Sequence, residues 1–314
     1  MTDALPVIDL APLDDGEKGL ADVAAAIGAA CRDVGFFYAV NHGVPRALID
    51  DAFAQSRRFF ALPLEAKQTI AMDVVGGNRG YSALMREALD PAQGPDRKEA
   101  FNVGLDLAPD DPDLVAGKPF RALNAWPALP GFRATTLGYF DACAALALRI
   151  HRAFAHDLGL PLDFFASKFR KPMATLRLLR YPAAAEDAAG AGEHTDYGNI
   201  TLLATDDVGG LQARRRDGRW IDAPPRPGAF VVNIGDCLMR WTNDIYVSTP
   251  HRVVNASPRE RFSIAFFFDP DPEAEVAAIP SCVGQGGAKY PPILAADHLK
   301  LRLDGSRPME PTEG

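Results

Sequence analysis

Gly192-Glu193-His194-Thr195-Asp196-Tyr197-Gly198 sets an imidazole and a carboxylate two residues apart, with glycines on both sides. In extended backbone residues i and i+2 project to one face, so His194 and Asp196 converge while Glu193 and Thr195 point the other way. A convergent imidazole and carboxylate can ligate a divalent metal, although a His-x-Asp pair alone is also an ordinary surface pair. A second histidine, His251, follows in Thr249-Pro250-His251-Arg252-Val253, and Arg261 and Ser263 share one face of the run from Arg261 to Phe268. Two histidines and one carboxylate on one side of an octahedral iron leave three positions open. A guanidinium beside a hydroxyl would hold an organic acid, because it offers a carboxylate two parallel donors where lysine cannot.

These residues belong to an ordered series of motifs: Leu5-Pro6-Val7-Ile8-Asp9-Leu10, Gly35-Phe36-Phe37-Tyr38, Asn41-His42-Gly43-Val44-Pro45, Phe59-Phe60-Ala61-Leu62-Pro63 and Tyr181-Pro182. After the metal stretch come Gly209-Gly210-Leu211-Gln212, Asn233-Ile234-Gly235-Asp236, Trp241-Thr242-Asn243 and the run from His251 to Ser263. Through them nearly the whole chain resembles the non-haem iron(II), 2-oxoglutarate-dependent dioxygenases, in the branch that includes isopenicillin N synthase. The resemblance implies that His194, Asp196 and His251 bind Fe(II) and that 2-oxoglutarate chelates it through its 1-carboxylate and 2-keto oxygens. It implies that Arg261 and Ser263 hold the distal carboxylate with help from Tyr181, and that dioxygen takes the last position.

The reaction so implied decarboxylates 2-oxoglutarate to succinate and CO2 while a small organic molecule is oxidised. Hydroxylation is the family's commonest outcome, and desaturation, ring closure and ethylene formation are variants. Where many plant members read Asn-Tyr-Tyr-Pro, this chain has Leu179-Arg180-Tyr181-Pro182, which puts one polar contact to the cosubstrate in doubt. Two other functions stand against this one. An iron oxidase of the same fold that does not use 2-oxoglutarate would turn Arg261 and Ser263 toward its substrate's own carboxylate. A non-catalytic small-acid binding or sensing protein would not need all five groups.

Such a site needs a β framework, and from Met173 the pattern supplies one. Strands are expected at Ala174 to Tyr181, Ile200 to Thr205, Leu211 to Arg214, Trp220 to Asp222, Ala229 to Ile234, Cys237 to Thr242, His251 to Asn255 and Arg261 to Phe268. Short strands broken by Gly, Pro, Asp and Asn indicate an antiparallel sandwich or barrel. The resemblance makes it a double-stranded β-helix, or jelly roll, with the metal at its open end. The expected fold is therefore mainly β with flanking α, the N-terminal region being helical.

Ahead of that core, a strand at Val7 to Leu10 and a strand at Phe36 to Val40 flank a helix from Gly16 to Val34. Helices are expected from Pro45 to Ala61 and from Leu64 to Ala71, an irregular stretch from Val75 to Gly104, and the longest helix from Phe132 to Leu158. The last carries Phe140, Cys143, Ala147, Ile150, Phe154 and Leu158 at helical spacing. The expected divisions are 1–125, an N-terminal α/β region with substrate-side loops; 126–172, the long helix and a connector; 173–270, the jelly roll; and 271–314, a C-terminal segment packed on it. His42 reads as structural, His151 and His156 as surface or capping residues, Glu193 as a solvated carboxylate, and the Ala- and Gly-rich run 183–192 as a low-complexity approach to the metal stretch.

Substrate contacts are expected from Tyr197, which follows Asp196, and from Arg177, four residues before Tyr181 on the same strand face. An unpaired Arg177 guanidinium would suit an anionic substrate. Arg79, Tyr81 and Arg86 lie in the irregular stretch, where they would close over the pocket and exclude water.

The balance of charge excludes a general nucleic-acid binder: 41 acidic residues against 33 basic ones give a net charge of -8 and a pI near 5.3. The one basic run, Arg214-Arg215-Arg216, precedes Asp217-Gly218 and reads as a hairpin end. Cys31, Cys143, Cys237 and Cys282 form no C-x-x-C pair. With no signal-peptide pattern and no membrane-length apolar run, the expectation is a cytoplasmic protein with a small-molecule partner and no membrane or nucleic acid.

Overall fold

Strict alternation along eight strands gives the larger of two facing sheets one face for helices and one for the site. The computed structural model describes residues 4–88, 94–183, 188–255 and 257–305. The large sheet contains β1 (Val7–Asp9), β2 (Phe36–Val40), β3 (Gly80–Ser82), β4 (Glu99–Gly104), β5 (Thr175–Tyr181), β7 (Ile200–Thr205), β10 (Phe230–Ile234) and β12 (Arg261–Phe268), in the order β1-β2-β10-β7-β12-β5-β4-β3. Among the strands of this sheet in the described residues, β1 and β2 pair in parallel and the other neighbours pair antiparallel. The small sheet orders β6 (Ala188–His194), β11 (His251–Asn255), β8 (Leu211–Arg214) and β9 (Trp220–Asp222). The two sheets form a jelly roll flanked by helices.

Helices α1 (Gly16–Asp33), α2 (Arg46–Phe60) and α6 (Phe132–Asp157) cover the outer face of the large sheet. Leu176, Leu178, Leu202, Val232, Ile264 and Phe266 project to that side and join Ile27, Phe59, Cys143, Ile150 and Phe154 in the main core. Phe59, Phe101 and Phe132 meet there with ring centroids 4.5 to 5.7 Å apart. Truncating Phe101 to alanine removes a fully buried ring from this cluster, a loss of about 3–5 kcal/mol. Residues of opposite parity, including Ala100, Leu179, Tyr181, Val231 and Ala265, face the small sheet in a second cluster. Short helices α3 (Leu64–Gln68), α4 (Met72–Val75) and α5 (Pro112–Val115) connect the N-terminal elements, while α7 (Asp236–Trp241) and α8 (Ala295–Gly305) lie against the loop that follows β6.

Several expectations change. Cys237 to Thr242 is not a strand: Cys237, Leu238 and Trp241 are buried at helical spacing in α7, whose first amides donate to the carbonyls of Asp196, Tyr197 and Gly198. The stretch from Val75 to Gly104 is not wholly irregular, since β3 and the entirely buried β4 extend the large sheet. A charged residue concealed that strand: Glu99 is buried because Lys67, Tyr81 and Arg180 all donate to it. His151 is buried rather than at the surface, donating from one ring nitrogen to Ala147 O and meeting the Asn199 side-chain amide with the other, at 2.7 Å each. The basic run does end a hairpin, but Arg214 pairs with Glu193 at 2.8 Å and Arg215 with Asp33, so Glu193 is a paired carboxylate, not a solvated one. Within 75–104 and 183–192, residues 89–93 and 184–187 lie outside the described residues. His42 is structural: one ring nitrogen contacts Gly228 O at 2.9 Å and the other accepts from the Val44 amide.

Candidate active site

The end of β6 and the start of β11 are neighbours, with His194 directly opposite His251. Asp196 lies beyond the strand, in the loop to β7, so that loop and not strand alternation turns its carboxylate back toward the imidazoles. Nε2 of His194 and of His251 stand 3.8 and 3.7 Å from Asp196 Oδ1. One ligand atom from each residue lies within 4.8 Å of the others, the only such group of three among the described residues. His194 Nδ1 donates to Gly192 O at 2.7 Å and His251 Nδ1 to Thr249 O at 3.1 Å, which leaves both Nε2 lone pairs facing inward. Asp196 Oδ2 accepts from Thr201 Oγ1 at 2.5 Å and Asn233 Nδ2 at 2.6 Å, leaving Oδ1 for a metal.

Electrostatics favour the same protonation state. Burial and the neighbouring His251 push the His194 imidazole down to about 4, so it is neutral at pH 7. Burial opposes ionisation of Asp196, but the two histidines and the bonds from Asn233 and Thr201 hold its carboxyl below the ordinary value. A neutral His194 imidazole, the Asp196 carboxylate and a second imidazole from His251 make the two-histidine, one-carboxylate donor set that suits iron(II).

Along β12, four residues from the row that contains Thr201, Ser263 faces the same interior, and Arg261 lies beyond it. Arg261 is 1% exposed. Its Nε donates to Gly209 O at 2.6 Å and its Nη1 to Ser263 Oγ at 3.2 Å, while Nη2 is buried without any partner. The guanidinium lies over the Tyr181 ring, 4.7 Å from its centroid. An orphaned donor on a buried cation, beside a hydroxyl and an aromatic face, fits one end of a dicarboxylate.

Of the five residues expected to contact substrate, the structure brings two to the inner face. Arg177 is there but not unpaired: its Nη2 donates to both Glu87 carboxylate oxygens, at 2.5 and 2.6 Å. Arg79 lies over Gly104 of β4. Tyr81 faces the opposite way, into the helical core against Phe59, with its hydroxyl 2.6 Å from Glu99. Strand β3 accounts for this, because Tyr81 pairs with outward-facing Phe101. Arg86 is exposed on the surface and pairs with Asp73. Tyr197 follows Asp196 as expected, yet Arg302 of α8 covers its ring at 5.1 Å and His298 contacts its carbonyl.

Three residues near the triad had no signal in the sequence beyond being charged: Glu87, Asp96 and Lys98. Buried Lys98 pairs with Asp96 at 2.6 Å and Glu87 at 3.5 Å, and Asp96 accepts from the Gly192 amide two residues before His194. Burial alone would raise the Glu87 carboxyl, but Arg177 and Lys98 hold it down to about 2. The network joins Glu87, Asp96 and Lys98 to Arg177 on the inner sheet face and to Gly192 on the metal-side strand.

Comparison with known proteins agrees with this geometry. Residues 5–129 match the "non-haem dioxygenase in morphine synthesis N-terminal" family, and residues 172–270 match the 2OG-Fe(II) oxygenase superfamily. A 2-oxoglutarate-Fe(II) type oxidoreductase of Emericella nidulans is 37% identical over 310 residues, covering 95% of this chain and 88% of that protein. A homoarginine-6-hydroxylase of Oryza sativa is 37% identical over 319 residues, covering 96% of each. Among solved structures, a full-length Neurospora crassa protein in complex with alpha-KG superposes with a TM-score of 0.86 at 35% identity, covering 98% of this chain and 100% of that one. The chain belongs to the 2OG-Fe(II) oxygenase superfamily and is an oxidoreductase, with iron(II), 2-oxoglutarate and dioxygen as the family's cofactor and cosubstrates. Among the described residues no helix is long and apolar enough to cross a membrane.

Proposed function

We infer that this chain hydroxylates a small organic molecule, with His194, Asp196 and His251 holding the iron and Arg261, Ser263 and Tyr181 holding 2-oxoglutarate. The single observation that carries this assignment is the pairing of a three-ligand pocket with a buried, partnerless Arg261 Nη2 in the same interior. Thr201 and Ser263 are offset by four residues along adjacent strands, roughly 13 Å of backbone. Arg261 lies beyond Ser263 on β12 and its Nη1 reaches back to Ser263 Oγ at 3.2 Å, so a dicarboxylate held there would extend along the interior toward the triad. When bound, the iron and 2-oxoglutarate supply the oxidising chemistry, and the protein's part is to bind and orient. Thr201 and Asn233 fix the Asp196 carboxylate, the two carbonyls fix the imidazole tautomers, and Arg261 aligns the cosubstrate. Glu87, Asp96 and Lys98 tie Arg177 on the inner face to the Gly192 amide just before His194, which steadies the strand that presents that ligand.

Anaerobic titration should give one iron per chain, and adding 2-oxoglutarate should produce the weak visible charge-transfer band of a 2-oxo acid chelate. Stoichiometric iron in a His194→Ala, His251→Ala double variant would overturn the ligand assignment. Absence of the band together with absence of calorimetric binding would return the reading to an oxidase that does not use 2-oxoglutarate. Succinate release is the substrate screen. L-homoarginine and thymine belong in it, because relatives are named for the first and the Neurospora crassa protein has been solved in complex with the second.

The same reading carries the divisions 1–125, 126–172, 173–270 and 271–314, supported by the family matches at 5–129 and 172–270. It carries a cytoplasmic location without membrane or nucleic-acid partners, supported by four buried free cysteines and a net charge of -8.

A further inference from the structure

Among the described residues, two buried guanidiniums on the inner face of the large sheet stand without a carboxylate. Arg261 is accounted for by 2-oxoglutarate; Arg79 is not. It is 4% exposed, its Nη1 reaches only Gly77 O and Asn78 O at 3.3 Å, and its Nε has no partner. Burial and the charge of nearby Arg121 push its pKa down to about 10, whereas an ion-paired arginine moves the other way. A desolvated cation in this condition calls for an anion.

The register places it. Asn233, Thr201, Phe267, Thr175 and Gly104 form one row across β10, β7, β12, β5 and β4. The first two hold Asp196; at the far end the Arg79 guanidinium lies flat against Gly104, where any Cβ would collide with it. Glycine there is the opening through which Arg79 reaches the inner face. One row deeper, Asn102 pairs with Arg177. Its Nδ2 donates to Asn78 Oδ1 at 3.1 Å, which fixes the amide orientation and leaves its Oδ1 buried without a donor. An unmatched cationic donor and an unmatched acceptor therefore share one corner.

We propose that this corner binds the head group of an α-amino-acid-type substrate, the carboxylate on Arg79 and the ammonium on Asn102 Oδ1. The proposal rests on the oxygenase reading above. Gly104 and Thr201 are three strands apart, roughly 14 Å between backbones, so the carbon oxidised lies several bonds from the head group. A long side chain satisfies this, and a free single-ring compound does not.

The test is calorimetry on the anaerobic iron and 2-oxoglutarate form, using L-arginine, L-lysine and L-tyrosine against agmatine, cadaverine and tyramine, and against the N-acetyl amino acids. At least one amino acid should bind about ten- to a hundredfold more tightly than both its decarboxylated and its acetylated counterpart. Arg79→Gln should collapse the preference over the amine to within about twofold, and Asn102→Leu the preference over the acetylated form. Binding of none of the amino acids, equal binding of amino acid and amine, or a preference that survives Arg79→Gln overturns the proposal. The wild-type comparisons decide it even if neither variant folds. Failure of the oxygenase reading shows itself separately, as loss of the 2-oxoglutarate charge-transfer band before any amino acid is added.

Discussion

Asn233 donates its side-chain amide to Asp196 Oδ2 at 2.6 Å, across the space between β10 and the loop after β6. Thr201, paired with Asn233 in the sheet, donates to the same oxygen. The register of two buried strands thus decides which carboxylate oxygen remains for the metal. Removing either donor should leave the triad in place but let the carboxylate rotate. Asn233→Leu or Thr201→Val is expected to weaken iron binding about ten- to a hundredfold, read by anaerobic titration against a competing chelator. Wild-type affinity in both variants would show that the loop alone orients Asp196.

Arg261→Lys keeps the charge but loses the planar fork. Affinity for 2-oxoglutarate should fall about ten- to a hundredfold, while Ser263→Ala costs only about 1 kcal/mol, a neutral hydrogen bond. Iron binding should be unchanged in both, since neither side chain touches the triad residues. Equal losses from the two substitutions would mean that the hydroxyl, not the guanidinium, is the main anchor.

What the sequence disclosed depended on how each group is positioned. Arg261 and Ser263 are legible because a spacing of two puts them on one face of β12. The two-residue spacing of His194 and Asp196 marks that pair, although the loop after β6, not strand alternation, brings Asp196 inward. Strand β4 is not legible, because Glu99 looks solvated until Lys67, Tyr81 and Arg180 are brought to it from three other elements. The expected unpaired Arg177 failed for the same reason, its partner Glu87 being 90 residues away. Tyr81 is expected at the pocket only while its stretch reads as irregular; it lies in β3, where pairing with outward-facing Phe101 turns its ring into the helical core. Alternation read in Cys237 to Thr242 hid a helix whose start is set by contacts with the Asp196 loop.

Glu87 gives the pH dependence a sign. Its folded pKa of about 2 lies below the ordinary 4.5, so the stability it contributes is present above pH 4.5 and is lost as pH falls toward 2. The shift corresponds to about 3 kcal/mol at most, reduced by the partial exposure of the side chain. Urea midpoints should therefore decline more steeply between pH 4.5 and about 2.5 in the wild type than in Glu87→Gln, which is less stable at pH 7. Parallel profiles would show that the pair with Arg177 contributes nothing net.

Gly198 is the tightest point of the metal loop. The Asn199 amide donates to Asp269 Oδ1 at 2.7 Å, and the Gly198 carbonyl accepts from the Cys237 amide at 2.9 Å, so the loop is clamped between the end of β12 and the start of α7. A Cβ at position 198 would collide with the Asp269 carboxylate. Backbone on one side and a buried side chain on the other leave little room to yield, so Gly198→Ala must displace the loop that carries Asp196. Stability should fall by about 1–3 kcal/mol, and iron affinity by at least about tenfold. The collision itself can be isolated with Asp269→Ala, which removes the obstructing carboxylate at the expense of the Asn199 bond. If close approach is the cause, Gly198→Ala should do much less damage in the Asp269→Ala background than in the wild type, a non-additive cycle. Additive effects would show instead that each side of the clamp orders the loop independently.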